Sequence, residues 1–472
     1  MDRISFCCLF TKEMQGEDSI VVLLLQRISE IEVCMAELEK ENQQLKERLA
    51  KFEIPKNSSN SSVPPSKDEN RPKRTSSLRT PSGKKPGGQK GRKGNTLKMV
   101  SCADVVEKHF PVCCGQCGND LDTAEATLTG KRQVHDIPII KMQVTEHQKY
   151  SSTCSCGNIT HGTYPDWIKH PVSYGPNTEA LVGYLHARHY LPFGRTVEVL
   201  NDVFKIPISE GGLHCLLNRL TIKAAPIYES IRELVANSPV VGADETGAKV
   251  NGDKDWFWTW QTFQYTYIAH SSKRDAQTVN NHFPSGFPET TLVTDALRAQ
   301  LKTIAKYHQC CSAHLQRNVK FLNELYKENR WGNDFLKLLY DALQLKKKMI
   351  SSDYGKEGHK PRESIIKRFD KLLERPPDKK QKELLTFYNR MKRDRDHIFT
   401  FLFIEDVPPD NNGSERAIRN IKVKQKVSGQ FKTAHAAQKF AMIRSLIDTT
   451  IKNGRKVLED LTDVAKLEHN PY

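Results

Sequence analysis

Residues 238–260 read SPVVGADETGAKVNGDKDWFWTW, and this stretch decides the fold. A short apolar run leads to two adjacent acids, Asp244 and Glu245. Asn251-Gly252 is a dipeptide preferred in two-residue hairpin turns, and the tryptophans beyond it alternate as side chains do along a strand. The stretch therefore predicts a β-hairpin with an acidic group at its rim. We interpret its tryptophans as core residues rather than DNA-stacking groups: Trp256, Trp258 and Trp260.

Two later acids stand in comparable positions. The run 291–296, TLVTDA, is a second short apolar segment that leads to an acid, Asp295. A Pro-Pro pair at 408–409 then stops a helix, and the next helix carries Glu415 in its first turn. An acid there also complements the helix dipole, and Asp410 is a second candidate for the third carboxylate.

Three carboxylates from separate parts of the chain suit two-metal phosphoryl transfer. In that chemistry two divalent ions about 4 Å apart activate the attacking oxygen and stabilise the leaving oxygen. Mg²⁺ prefers such oxygen ligands, and Mn²⁺ accepts them as well. We leave Glu245 out of the set because side chains alternate along a strand, so Asp244 and Glu245 are expected to face opposite ways.

Composition favours an anionic partner. The 472-residue chain carries 72 Lys and Arg against 56 Asp and Glu, a formal net charge of +16. This balance favours nucleic-acid binding, with a merely soluble basic surface as the alternative. The most apolar early run, 20–25, is too short for a membrane span or a signal-peptide core. We therefore expect a cytoplasmic protein without membrane association.

Residues 17–54 follow a heptad pattern and predict a coiled coil (leucine zipper). Apolar residues occupy nearly every a and d position from Val21 to Phe52. Asn42, at an a position, is the polar residue expected to set the register of a two-stranded assembly. We predict a homodimer or higher oligomer; the alternative is an amphipathic helix packed on its own chain. Residues 1–16 form an extension without a usable pattern.

Residues 55–99 predict a disordered basic linker. From 71 to 98 the chain holds ten basic residues and no acid, a composition that cannot bury a core. We interpret the segment as an arm that binds DNA phosphates, with a solvated tail as the alternative. The residues singled out lie in and just before the sequence GGQKGRKG: Lys84, Lys85, Lys90, Arg92 and Lys93.

Cysteine spacing in residues 100–170 predicts a zinc-binding domain. Cys114-Gly-Gln-Cys117-Gly and Cys154-Ser-Cys156-Gly are thiol pairs followed by Gly, as in zinc knuckles, and two pairs complete a tetrahedral site. Cys113 could replace Cys114, and reduced thiols without a metal are the alternative. The alternating residues between the pairs predict a small β-ribbon.

Residues 171–236 have a helical pattern. Two stretches, 195–204 and 210–219, flank a short turn with helix-turn-helix spacing, which we interpret as a DNA-binding unit. Such helix pairs are also common packing units. Helical spacing continues in about 312–405, between the second and third acids.

Taken in order, these motifs resemble the transposases of the IS66 family of bacterial insertion sequences. The resemblance covers about residues 20–465. It rests on the heptads, the basic linker, Cys-x-x-Cys with Cys-x-Cys, Gly-Ala-Asp-Glu-Thr, Thr-Asp-Ala, Cys-x-x-His and Asn-Asn-x-x-Glu-Arg-Ala-Ile-Arg. The chain departs from the family after the second acid, where Ala296-Leu297-Arg298 replaces the usual aromatic or polar residues.

The resemblance implies a multidomain α/β (α+β) fold. An RNase H-like mixed sheet with the helical insertion would occupy 237–465, preceded by the coiled coil, the small zinc β-ribbon and the helical helix-turn-helix-like domain. It implies a DDE triad of Asp244, Asp295 and Glu415 that holds Mg²⁺ or Mn²⁺. The implied reaction is cleavage of transposon ends by water, followed by attack of the freed 3′-OH on target DNA.

Further expectations follow from the same resemblance. Cys311 and His314 match its Cys-x-x-His element and would support the site. The basic residues after the third acid would contact DNA: Arg416, Arg419 and Lys422. The expected partners are the transposon ends, target DNA and accessory proteins of the same element, in the bacterial cytoplasm at the nucleoid. A catalytically inactive DNA-binding regulatory or architectural protein is the competing interpretation, and a plain nuclease is a third.

Overall fold

The computed structural model describes residues 18–57, 60–61, 68, 91, 97–123, 126–138, 140, 142–165, 168, 170–327 and 329–467. The extension 1–16 lies outside the described residues, and so do the arm residues Lys84, Lys85, Lys90, Arg92 and Lys93. The chain divides into two compact units. One comprises Met1–Arg71, Thr163–Thr196 and Ser209–Tyr472, and the other comprises Pro72–Gly162 and Val197–Ile208.

Helix α1, Asp18–Glu53, spans the predicted coiled-coil segment. The described side chains at its a and d positions are exposed, for example Leu38 at 59% and Leu45 at 60%. The helix is therefore confirmed, and its apolar seam is not packed on the described part of its own chain. Association through this seam stays a prediction.

Two short strands surround the second cysteine pair. Strands β1, Ser151–Thr153, and β2, Ile159–His161, pair antiparallel. The sequence predicts the β-ribbon in the segment between the two cysteine pairs, but the described residues of 126–150 contain no strand. A strand needs a partner for its backbone N–H and C=O groups, and the tight turn at Cys154–Gly157 brings β1 and β2 together as partners.

The region 171–236 is helical, as predicted. Helix α2, Pro176–Gly183, continues into a π-helical turn, Tyr184–Arg188, and helix α3 spans Phe193–Asp202. Helix α4, Glu210–Ala236, begins at Ser209, whose hydroxyl accepts the N–H of Gly212. The two helices of the predicted pair are confirmed, and α4 is longer than expected because its buried face persists to Val235.

Five strands form a mixed sheet. They are β3, Val240–Val250; β4, Asp253–Gln261; β5, Thr266–Ser271; β6, Phe287–Thr294; and β7, Ala305–Cys310. The order is β5-β4-β3-β6-β7, with β5, β4 and β3 antiparallel and with β6 and β7 parallel to β3. The predicted turn joins β3 to β4, and both its residues have positive φ, 50° at Asn251 and 88° at Gly252. The mixed sheet agrees with the expected α/β class.

The tryptophans of β4 divide between core and surface. Trp258 and Trp260 are fully buried and stacked, which confirms their interpretation as core residues. Trp256 is only partly buried, and the cations of Lys254 and Arg274 each lie 4.8 Å from the centroid of its ring. It therefore belongs to the rim of the sheet rather than to its core.

Helices complete the larger unit. Two short helices lie within the sheet segment, α5, Ala276–His282, and α6, Arg298–Leu301. After β7 come α7, Ser312–Leu325; α8, Arg330–Lys348; α9, Ser351–Tyr354; α10, Lys360–Leu373; and α11, Lys382–Arg393. Two 3₁₀ turns, Arg395–His397 and Thr400–Leu402, precede α12, Asn412–Ser428; α13, Ala434–Lys452; and α14, Val457–Lys466. In the part of the chain that the structure describes, no helix is long and apolar enough to span a membrane.

The helices of the predicted insertion share a core with the sheet. Their buried aromatic and aliphatic residues pack in one cluster with Val293 of β6 and Cys310 of β7. The insertion is thereby held against the parallel edge of the sheet, next to the strand that leads to the second acid.

Candidate active site

Asp244 and Asp295 lie where two parallel strands separate. The pairing of β3 with β6 ends with Gly242 opposite Val293. Asp244 follows Gly242 by two residues, and Asp295 follows Val293 by two residues. Strand β6 ends at Thr294, whereas β3 continues as the partner of β4. Carboxylate oxygens of Asp244, Glu245 and Asp295 all lie within 4.8 Å of one another, so one ion could contact them all.

The backbone after Asp295 holds its carboxylate in place. The N–H of Leu297 donates to Asp295 Oδ1 at 3.0 Å, and that of Ala296 donates to Thr294 Oγ1 at 3.1 Å. Ala296 has a φ of 70°, in the left-handed region that disfavours a Cβ. Strained residues of this kind concentrate at functional sites, and Ala296 directly follows the second acid.

Glu245 joins the acidic group, so the expectation that Asp244 and Glu245 face opposite ways was wrong. Its exclusion from the metal ligands stays a prediction. Alternation describes the Cβ directions, but the Asp244 carboxylate turns along the strand to accept the N–H of Glu245 at 2.9 Å. Glutamate also has one methylene more with which to reach its neighbours. Arg274 Nε donates to Oε1 of Glu245 at 2.9 Å, and Gln300 Nε2 donates to Oε2 at 2.8 Å. Both carboxylate oxygens are therefore held by protein groups.

Glu415 lies in the first turn of α12, as predicted. Arg317 donates to its Oε1 at 3.4 Å, and the Nδ1 of His314 is 3.8 Å from the same oxygen. The charge of Glu415 contributes to the raised pKa of Asp244, so the two groups interact. Its oxygens are nevertheless outside the 4.8 Å group of three carboxylates.

Asn411 ties the start of α12 to strand β3. Its Nδ2 donates to the carbonyl of Ala243 at 2.7 Å, and its Oδ1 accepts the hydroxyl of Ser414 at 2.7 Å. Its own N–H donates to Cys311 Sγ at 3.2 Å. Gly242 is required for this close approach, because a Cβ there would lie 2.7 Å from Ser414 Oγ and 2.8 Å from Asn411 Oδ1.

Cys311 and His314 both lie beside the start of α12, where this helix contacts β3. Burial raises the pKa of Cys311 to about 11, so the residue is a neutral thiol near pH 7, and its sulfur serves as a hydrogen-bond acceptor. Burial and the charge of Arg317 lower the pKa of His314, against the opposing effect of Asp295 and Glu415. Support of the site by these two residues agrees with their position and stays a prediction.

The acids repel one another in a poorly solvated place. Burial, then the charges of Asp295 and Glu245, raise the pKa of Asp244 well above its usual range. Burial and Asp295 raise the pKa of Glu245 to about 7, although Arg274 opposes them. A divalent cation would relieve this repulsion, and an all-carboxylate oxygen set fits Mg²⁺ or Mn²⁺.

Comparison with known proteins identifies the family. Residues 171–439, more than half of the chain, match the family described as Transposase IS66 family. The chain belongs to this family. As an IS66-family transposase it is a DNA-processing protein, and DNA is its binding partner. Residues 24–98 match a family of unknown function, DUF6444. No curated protein matches the chain.

The basic residues after Glu415 differ in their surroundings. Arg416 and Arg419 are exposed on α12 of the transposase, where DNA could reach them. Lys422 is partly buried and donates to the carbonyl of Gly247, which ties α12 to β3. The arm residues predicted to bind DNA lie outside the described part of the chain.

The two cysteine pairs each form a knuckle-like turn. Gly118 and Gly157 have φ of 75° and 86°, and their N–H groups donate to the carbonyls of Cys114 and Cys154. Backbone N–H groups at Cys117 and Gln116 lower the pKa of Cys114. Among the described residues, however, the thiols of Cys114, Cys117, Cys154 and Cys156 are not gathered into a group within 4.8 Å. The zinc site stays a prediction.

Only some of the residues that support the site could be anticipated from the sequence. Asn411 belongs to the Asn-Asn pair that precedes Glu415, and its short polar side chain at a helix start was a usable signal. Arg274 and Gln300 carry no such signal, because nothing in their local sequence relates them to Glu245. Their role depends on the sheet and on α6.

The repulsion at the site predicts that Asp244→Asn stabilises the metal-free transposase at pH 8. Removal of one buried like charge should raise the unfolding free energy by about 1 kcal/mol, or about 2–4 °C in melting temperature. A carboxyl with a raised pKa destabilises the fold only while ionised, so the gain should shrink as the pH falls and wild-type Asp244 becomes protonated. Thermal melts in EDTA from pH 8 to pH 5 measure this difference.

In Mg²⁺ the wild-type protein should melt at a higher temperature than Asp244→Asn, because the ion stabilises more strongly the protein that binds it more tightly. The control is Glu289→Gln, since the Glu289 side chain is 83% exposed on β6 and should leave the melting temperature unchanged. An Asp244→Asn protein that melts below wild type in EDTA at pH 8 would contradict the electrostatic account.

Proposed function

We propose that this transposase cleaves the ends of its insertion sequence and joins them to target DNA by two-metal phosphoryl transfer. The observation that carries the proposal is that Asp244 and Asp295 lie together where β3 and β6 separate, and that Asn411 bonds the start of the helix carrying Glu415 to β3. The sheet order β5-β4-β3-β6-β7 supports an RNase H-like core, with the helices between β7 and α12 as its insertion.

The reaction consists of two substitutions at phosphorus. In cleavage, a water oxygen bonds to phosphorus while the P–O3′ bond breaks; the proton that the water loses balances the one that the departing 3′-oxygen takes up, which leaves a 3′-OH and a 5′-phosphate. In joining, that 3′-oxygen loses its proton and bonds to the phosphorus of a target phosphodiester, while the P–O3′ bond of the target breaks and the departing target oxygen takes up a proton. The chain is a transferase because the second step forms a new DNA linkage.

Residues of the chain take distinct roles in these steps. Asp244, Asp295 and Glu415 would hold Mg²⁺ or Mn²⁺, which when bound supplies charge at the attacking and leaving oxygens. Asn411 keeps Glu415 in place through its bond to β3. Arg416 and Arg419, exposed on the same helix, bind DNA phosphates. In the cell this DNA is that of the bacterial nucleoid, and accessory proteins of the element take part.

Replacement of any triad acid should abolish transposition. We expect Asp244→Ala, Asp295→Ala and Glu415→Ala each to lower the frequency by at least about 10⁴-fold, because catalytic groups that act as a unit are lost together. The assay places a selectable marker between the DNA segments that flank the gene and supplies the transposase in the same cell. Glu289→Ala is the matched control, since this acid is 83% exposed on the strand that leads to Asp295.

The outcomes separate the competing functions. A wild-type frequency in any triad variant would overturn the assignment of that residue. Wild-type protein that binds the flanking DNA without moving the marker would favour an inactive regulatory or architectural protein. Cleaved flanking DNA without joined products would favour a plain nuclease.

We also propose that α1 pairs with α1 of a second copy as a coiled coil. The heptad seam and its exposure in the single chain support this pairing. Leu38→Asp together with Leu45→Asp, both at d positions, should convert a dimer into a monomer on gel filtration with light scattering. Val33→Asp is the matched control, because Val33 is equally exposed, at 59%, but lies at an outer f position. A double variant that stays dimeric would contradict the seam.

A structural zinc ion held by Cys114, Cys117, Cys154 and Cys156 is the remaining proposal. The glycine turns and the lowered pKa values of Cys114 and Cys154 support it, since zinc binds thiolates. Metal analysis of purified protein should find about one zinc per chain, and Cys114→Ser with Cys154→Ser should lose it. Cys102→Ser, an exposed cysteine outside both pairs, should retain zinc. Metal-free wild-type protein would refute the site.

A further inference from the structure

Two arginines beside the acidic site have unsatisfied donors. Arg317 lies on α7 and Arg390 on α11. In each, the Nε is buried and has no hydrogen-bond partner among the described residues. Arg274, by contrast, donates to Glu245. A buried N–H without an acceptor is rare in folded proteins, and at a functional site it points to an absent ligand.

Arg317 borders Glu415. Its terminal nitrogen is 3.4 Å from Glu415 Oε1, whereas a strong charge-assisted bond is about 2.7–2.9 Å long. The pair therefore leaves most of the guanidinium available to a second acceptor. Helix α7 is held at this position because Cys311, just before it, accepts the N–H of Asn411.

Arg390 approaches from the helical insertion. Its guanidinium lies over the ring of Phe387, 4.9 Å from the centroid. The next residue, Met391, is buried in the core that also contains Val293 and Cys310 of the sheet. Burial lowers the pKa of Arg390, and Asp295 is among the charges that oppose this effect.

We propose that Arg317 and Arg390 bind the scissile phosphodiester of the DNA and act as catalytic residues. The inference rests on the proposed function of the same site. Guanidinium groups match phosphate oxygens with two parallel N–H donors, and they stabilise the charge that spreads over the transferred phosphoryl group. Both arginines lie in the helical insertion between β7 and α12, so the insertion is a part of the active site and not only a spacer.

The test measures chemistry and binding separately. Full-length protein in excess nicks a supercoiled plasmid that carries the DNA flanking the gene, at a Mg²⁺ concentration that saturates the wild-type rate, and affinity for the same DNA is measured with Ca²⁺. Arg317→Ala and Arg390→Ala should each lower the nicking rate by about 10²-fold, the effect of losing one oriented donor. Affinity should fall less than about tenfold, because each arginine is one phosphate contact among many.

Charge-matched controls lie on the same helices. Lys320→Ala on α7 and Lys392→Ala on α11 remove an exposed positive charge and should nick within about twofold of wild type. Arg317→Lys and Arg390→Lys keep the charge and stem but not the paired donors, so they should remain at least about tenfold slow. The lysine variants also keep the test valid if an alanine variant fails to fold.

Three results would overturn the inference alone. The first is nicking by both alanine variants at the rate of their controls while Asp244→Ala is inactive, which leaves the proposed function standing. The second is full rescue of Arg317→Ala by a higher Mg²⁺ concentration, which would make this residue only a positioning group for Glu415. The third is a wild-type rate in both lysine variants. Wild-type protein without Mg²⁺-dependent nicking would reject the proposed function together with the inference.

Discussion

The arrangement of the site depends on the hydrogen bonds of the Asn411 side chain. This side chain bonds to the carbonyl of Ala243 on the central strand and to the hydroxyl of Ser414 at the start of α12. Glu415 is thereby placed relative to Asp244, from which it is far in sequence. The contact needs Gly242, since any side chain there would displace the helix start. One amide thus connects the two acids that the reaction would require to act together.

Helix α12 is also held at its other end. The ammonium of buried Lys424 donates to the carbonyl of Leu191 at 3.2 Å, just beyond the π-helical turn. The hydroxyl of Tyr190 donates to Asn420 at 2.7 Å, and Asn420 in turn bonds to Asp448. Buried polar networks of this kind hold a helix in one position. The region before the sheet is therefore connected to the helix that carries the third acid.

The cost of the site is electrostatic. Asp244, Glu245 and Asp295 would be more stable apart, and burial makes their repulsion stronger than it would be in water. The packed sheet, with Trp258 and Trp260 at its centre, keeps them together. Local conflicts that the rest of a fold outweighs are typical of functional sites. Arginine donors left without acceptors beside these acids extend the same conflict to the helical insertion.

The sequence by itself determined the elements whose causes are local. Asn251-Gly252 dictated the hairpin turn, the heptads dictated α1, and apolar runs ending in acids located Asp244 and Asp295. Motif order was enough to indicate the family. Strand β7 was missed because its sequence, AKYHQC, is mostly polar and its pairing with β6 is parallel and non-local. The place of Glu245 and of the Arg317 and Arg390 guanidinium groups was decided only by tertiary structure, because it depends on which distant side chains the packed sheet and helices bring within reach.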